Sequence, residues 1–235
     1  MSIRLVPIAA GLSPIIAIHL CYLIAIQHSG LPACIPYLEG CVSVSATGRY
    51  EPAVYLFRGV MLPQTILLSA FWILSVAWLR SIESSLQLAP RRYLAVQLFG
   101  IGGALFLILY VVFLGSAEPF YEFMRRFGVY LYFLFSVVAQ LLLASRSLSL
   151  AKLVGNETLR GLSQAQLLLS VAPIALGLLN LLLKAILDDS DRAENRIEWV
   201  FALMMQLFFL LSYFCWKISG FCVHACVSND APKHG

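Results

Sequence analysis

CIPYLEGCVSVSATGRYEP, residues 34–52, is the longest polar interval in an otherwise apolar chain. It holds two cysteines, a Ser/Thr/Gly segment, one arginine and two glutamates. Its meaning depends on what flanks it. The chain has 235 residues, of which 60% are hydrophobic and 12% charged. Soluble domains carry about 25% charged residues. A water-soluble fold has no place to hide so much apolar surface, so the solvent is a bilayer. Runs of about 20 apolar residues mark transmembrane helices. Six occur, at 5–26, 59–79, 93–116, 127–145, 164–187 and 197–220. The expectation is an all-α integral membrane bundle, one domain over 1–235, with a long first extracytoplasmic loop.

The first run reads as a span and not as a cleaved signal. It is too long, contains Pro7 and Pro14, and no small-x-small site follows it. Lys and Arg in the loops set orientation. With the N-terminus inside, nine basic residues are cytoplasmic: Arg4, Arg80, Arg91, Arg92, Arg146, Lys152, Arg160, Lys217 and Lys233. Seven lie outside: Arg49, Arg58, Arg125, Arg126, Lys184, Arg192 and Arg196. Both termini are therefore expected in the cytoplasm. The 34–52 loop then faces an oxidising compartment, where Cys34 and Cys41 can bridge. The reading with two free thiols belongs to the inverted topology. The net charge of +4 is spread over several loops, which argues against a nucleic-acid partner.

Polar groups inside spans are costly and point to function. His19 lies in the outer half of the first span. Asn180 and Lys184 share a face near the outer end of the fifth, with Asp188 continuing it. Glu198 opens the sixth. These suggest an outward polar cavity under the 34–52 loop. Arg49, Arg58 and Lys184 would hold an anionic headgroup, with Asn180 and Glu51 beside them. His19 or Glu198 would serve in proton transfer. The competing reading is that Lys184 and the acids snorkel to the interface and His19 bonds a neighbouring helix. A Lys184–Glu198 pair is expected from the short connection between the fifth and sixth spans. Gly100-x-x-Gly103 with Ala104, and Ala172-x-x-Ala175-x-Gly177, suit close helix packing. Trp72, Trp78, Trp199 and Trp216 read as an interfacial belt. No hydrolase or phosphate-loop motif is present, and Ser43 and Ser45 read as part of a flexible segment. Cys222-Val-His-Ala-Cys226 offers at most three metal ligands at unusual spacing. It reads as helix-end packing, or as an acylation site in a eukaryotic source. No metal or cofactor is expected.

Val42-Ser-Val-Ser-Ala-Thr-Gly-Arg-Tyr after Cys41, Arg58 before the second span, and Ile197-Glu-Trp199 opening the sixth carry a resemblance. Together with the six-span layout, they resemble the Frag/DRAM/Sfk family of membrane proteins. The family's Asn and His further along the last span have no counterpart in Phe201-Ala-Leu-Met-Met-Gln-Leu-Phe208, and the loop lacks the proline before its first serine. The resemblance implies handling or remodelling of a membrane lipid or glycolipid, as in remodelling of a GPI-anchor lipid. It equally allows a non-catalytic scaffold that meets a membrane protein partner through its basic cytoplasmic loops.

Overall fold

The computed structural model describes residues 3–116, 118–186 and 190–223. Its elements are all helical: α1 (Leu5–His28), α2 (Pro36–Glu39), α3 (Val44–Thr47), α4 (Ala53–Ser85), α5 (Leu94–Phe113), α6 (Pro119–Val154), α7 (Glu157–Ile186) and α8 (Asp191–Ile218). The six long helices are each long and apolar enough to cross a membrane. The protein is thus an integral membrane bundle of six spans.

Each long helix packs on its neighbours in sequence, and α8 closes the ring against α1. Six crossings put the beginning of α1 and the end of α8 on one face. Arg4 Nε there donates to the Phe221 carbonyl at 2.9 Å. The other face carries α2 and α3, which dock on α8 and α1; it is the cap face below.

The helices outrun their apolar cores. α4 has 33 residues and α6 has 36. At 1.5 Å per residue these are about 50 Å long, against a hydrocarbon thickness of about 30 Å. The polar ends project, and one projection is tied down. Glu83, 1% exposed, accepts from the Tyr93 hydroxyl and from Arg146, while Arg146 Nε donates to Tyr93 Oη at 2.9 Å. This network joins α4, the start of α5 and α6 on the face opposite the cap.

Packing uses small residues at chosen points. A Cβ on Gly100 would strike the Trp72 indole, and one on Gly128 would lie 2.6 Å from the Tyr110 amide nitrogen. The second small-residue stripe does not behave this way. A Cβ on Gly177 would meet nothing within 4 Å, and Ala175 is exposed. On α7 the buried positions are Leu159, Ser163, Gln166, Ser170 and Pro173, a 3.5-residue repeat. Beyond Pro173 no residue of α7 is buried, so its last four turns face outward.

The tryptophans form no interfacial belt. Trp72, Trp78, Trp199 and Trp216 are at most 2% exposed. Their rings fill the interior against Phe71, Phe209 and Tyr22. Two indole N–H groups also find acceptors, Trp78 on Ser219 Oγ at 2.8 Å and Trp199 on the Val42 carbonyl at 2.9 Å. Position along a span fixes depth in the bilayer, but rotation about the helix axis decides between lipid and core.

Candidate functional site

The 34–52 segment is a docked lid rather than a loose loop. Cys34 and Cys41 lie at disulfide distance, with Cα atoms 6.6 Å apart. The Tyr22 hydroxyl donates to the Pro32 carbonyl at 2.9 Å and accepts from the Cys34 amide at 3.0 Å. Gly40 ends α2 with φ +64°, and a Cβ there would collide with the Arg192 carbonyl. Its own carbonyl accepts from Asn195 Nδ2 at 2.9 Å. Ser43, read as flexible from sequence, caps α3 by accepting from the Ala46 amide at 3.2 Å.

Two stretches singled out in the sequence meet here. Trp199 donates to Val42, and Glu198 Oε1 accepts from the Ser45 amide at 3.2 Å. The Val-Ser-Val-Ser and Ile-Glu-Trp stretches, about 150 residues apart, therefore hold each other.

Beneath this junction is a small chamber lined from α1, α3, α4, α5, α6 and α8. Its walls are mostly apolar, among them Phe57, Met61, Leu107 and Phe133. Its polar groups are Glu198, Tyr110, Tyr132 and Gln206. Gln206 is 6% exposed, and its Oε1 has no partner. Arg49 and Arg125 are the cations that act on Glu198, and both also act on Tyr110. Arg49 Nη2 donates to Ser45 Oγ at 3.4 Å, while its buried Nε has no partner. Arg125 pairs loosely with Glu122, at 3.4 Å. Two guanidiniums thus act on one carboxylate, and that carboxylate lines an otherwise apolar space.

His19 lines a separate shallow groove between α1 and α8, together with Tyr37 and Trp199. His19 Nδ1 lies 2.7 Å from the Ile15 carbonyl, so Nδ1 carries the proton. Burial raises the Tyr37 phenol above its usual range, so its hydroxyl donates to His19 Nε2 across 3.2 Å. Both ring nitrogens are occupied.

The other residues singled out in the sequence lie elsewhere. Arg58 caps the end of α5, donating to the Leu114 carbonyl at 2.7 Å and to that of Val112 at 3.2 Å. Glu51 is exposed on the rim and accepts from Tyr55. Asn180 Oδ1 is buried without a partner on the outward-leaning part of α7. Lys184 pairs with Glu194, Nζ to Oε2 at 2.8 Å, and not with Glu198. The expected Lys184–Glu198 pair fails because α8 begins at Asp191, six residues before the apolar run. The added turns put Glu194 level with Lys184 and set Glu198 one turn deeper. Asp188 and Cys226 lie outside the described residues. Arg125 and Gln206 were not among the candidates. Arg125 reads as one of several outer basics, and Gln206 as a neutral residue in an apolar run. Only the fold brings Gln206 to the chamber wall and Arg125 to act on Glu198.

No protein-family model, no curated protein and no solved structure matches the chain.

Proposed function

We propose that this multi-pass membrane protein binds a membrane lipid or glycolipid headgroup at its capped face and assists its handling or remodelling. The observation that carries this reading is the pairing of an apolar chamber with two guanidiniums that act on its one carboxylate, Glu198. An anionic headgroup satisfies Arg49 and Arg125, including the unpartnered Arg49 Nε. A headgroup hydroxyl can donate to Glu198 or to Gln206 Oε1. The reading agrees with the Frag/DRAM/Sfk resemblance, whose Val-Ser-Val-Ser and Ile-Glu-Trp elements form the roof and rim of this chamber. It also agrees with an orientation that puts the cap outside the cytoplasm. The protein's role is to bind and orient the lipid; Glu198 is the group placed to take a proton from it.

Native mass spectrometry of the protein released in mild detergent from membranes containing phosphatidic acid tests this. Wild type is expected to retain the lipid. Arg49→Gln with Arg125→Gln removes two charge-assisted bonds, each worth about 1.5–3 kcal/mol, and is expected to lose it. Arg126→Gln, at an exposed side chain, should retain it. Equal retention in all three would overturn the headgroup site.

A further inference from the structure

The groove at His19 and the chamber at Glu198 are neighbours with a common wall. Ile18, Val44, Ala202 and Gln206 line both. The chamber is closed by residues such as Phe57, Leu107 and Tyr110, each 5% exposed or less. The groove is open: Ile15, His19, Tyr37 and Leu203 are all partly exposed. Its outer edge continues into Leu12, Ile16 and Leu207, which are 37–48% exposed on the outside of the ring. His19 is nine residues from the end of α1, a depth of about 13 Å at 1.5 Å rise per residue. That places the groove beside the hydrocarbon of one leaflet, below the headgroup level of the cap.

The helix geometry explains why the gap is there. α1 and α8 are pressed together at Gly11, where a Cβ would lie 2.8 Å from the Gln206 carbonyl and 2.9 Å from Leu210. Toward the cap, one turn on, comes Pro14, which lacks an amide hydrogen. Above it the His19 ring of α1 meets the Trp199 indole of α8 edge to face, and Tyr37 of α2 packs against both rings. Tyr37 and Val44 belong to α2 and α3, so the cap roofs the gap.

We infer that groove and chamber form one slot. Through it an acyl chain of a bound anionic phospholipid runs from the chamber, between α1 and α8, into the surrounding bilayer. The inference rests on the headgroup reading above and adds a route to it. The headgroup sits on Arg49 and Arg125, the chain passes Ala202 under Val44, and it leaves beside Ile15 and Leu203. The apolar lining fits hydrocarbon, and the two guanidiniums fit the head of the same molecule. A soluble anion would use the guanidiniums alone and leave the groove empty. Entry between α6 and α7 is the competing route, because α7 leans outward there; α7, however, supplies none of the chamber lining.

The test uses the full chain in phosphatidylcholine nanodiscs containing phosphatidic acid with a diazirine in mid-chain. Illumination should label the peptides holding Ile15 and Leu203. Ala202→Trp should abolish that label, and Ala202→Gly should keep it. If Ala202→Trp does not elute as a folded species, Leu203→Trp obstructs the same groove from the outside, and loss of the Ile15 label is then expected. Label confined to α6 and α7, or label unchanged by an obstructing variant, overturns the slot while leaving the headgroup site standing. Failure of wild type to retain phosphatidic acid overturns both.

Discussion

Glu194 and Glu198 are one helical turn apart and sit in different surroundings. Glu194 meets Lys184 with both side chains partly in solvent. Such pairs contribute about 0–1 kcal/mol, so Lys184→Ala should barely move the melting temperature in detergent. Glu198 holds the cap through the Ser45 amide and is the carboxylate between Arg49 and Arg125. Glu198→Gln keeps an acceptor for that amide, so the fold should survive. The site becomes more positive, and phosphatidic acid retention in native mass spectrometry should rise; a fall would count against the electrostatic account. On the other face, Arg146→Ala strands the buried Glu83 carboxylate. Breaking such a buried pair costs about 3–5 kcal/mol, a loss that thermal unfolding in detergent would show. Arg160→Ala, which breaks an exposed pair with Glu157, is the matched control and should change little. The buried partnerships among these are not visible in one dimension. Glu83 and Arg146 are 63 positions apart, and hydropathy registers each only as a blemish at a span end.

At the scale of elements, the apolar centres of all six spans are legible because burying backbone in hydrocarbon demands a helix. Their ends are not. Residues 191–196, Asp-Arg-Ala-Glu-Asn-Arg, fail any hydropathy threshold, yet Arg, Ala and Glu are good helix formers and α8 starts there. The 34–52 segment reads as a loop because four-residue helices leave no periodic signal. Its docking depends on a few bonds to α8 and on the Cys34–Cys41 link. Closing that short ring is worth about 2–3 kcal/mol on the chain-entropy model. Cys34→Ser with Cys41→Ser should speed amide exchange across α2 and α3 while leaving α4 to α6 unchanged, because Trp199 and Asn195 still hold Val42 and Gly40. Trp199→Phe in the same background removes the bond to Val42 and should speed exchange across α3 further. Slow exchange in the triple variant would show that the cap is held by contacts other than these.

The whole molecule is a ring with a lid on one face and a buried ion pair at the other. The ring order follows the chain, so the order of spans was readable; the closure of α8 on α1, and hence the chamber, was not. The proposed orientation makes a direct prediction. With the other cysteines replaced by serine, apart from Cys34 and Cys41, Leu38→Cys should react with a membrane-impermeant maleimide added outside intact cells. Lys152→Cys should react only after the membrane is opened. The reverse pattern would invert the topology and put the cap in the cytoplasm.

Ring closure also sets a schedule for biosynthesis. The cap is made early, but its platform, α8, is made last. At about 5–20 residues per second, the 34–52 segment waits on the order of ten to thirty seconds for Asn195, Glu198 and Trp199 to emerge. Through that interval the face of α1 that will meet α8, with Gly11 and Ile18, stays open to the insertion machinery. A nascent chain stalled before α8 would therefore carry a complete set of cap residues with nothing to close upon. It is the last helix to leave the ribosome that turns five separate spans and a dangling loop into a vessel.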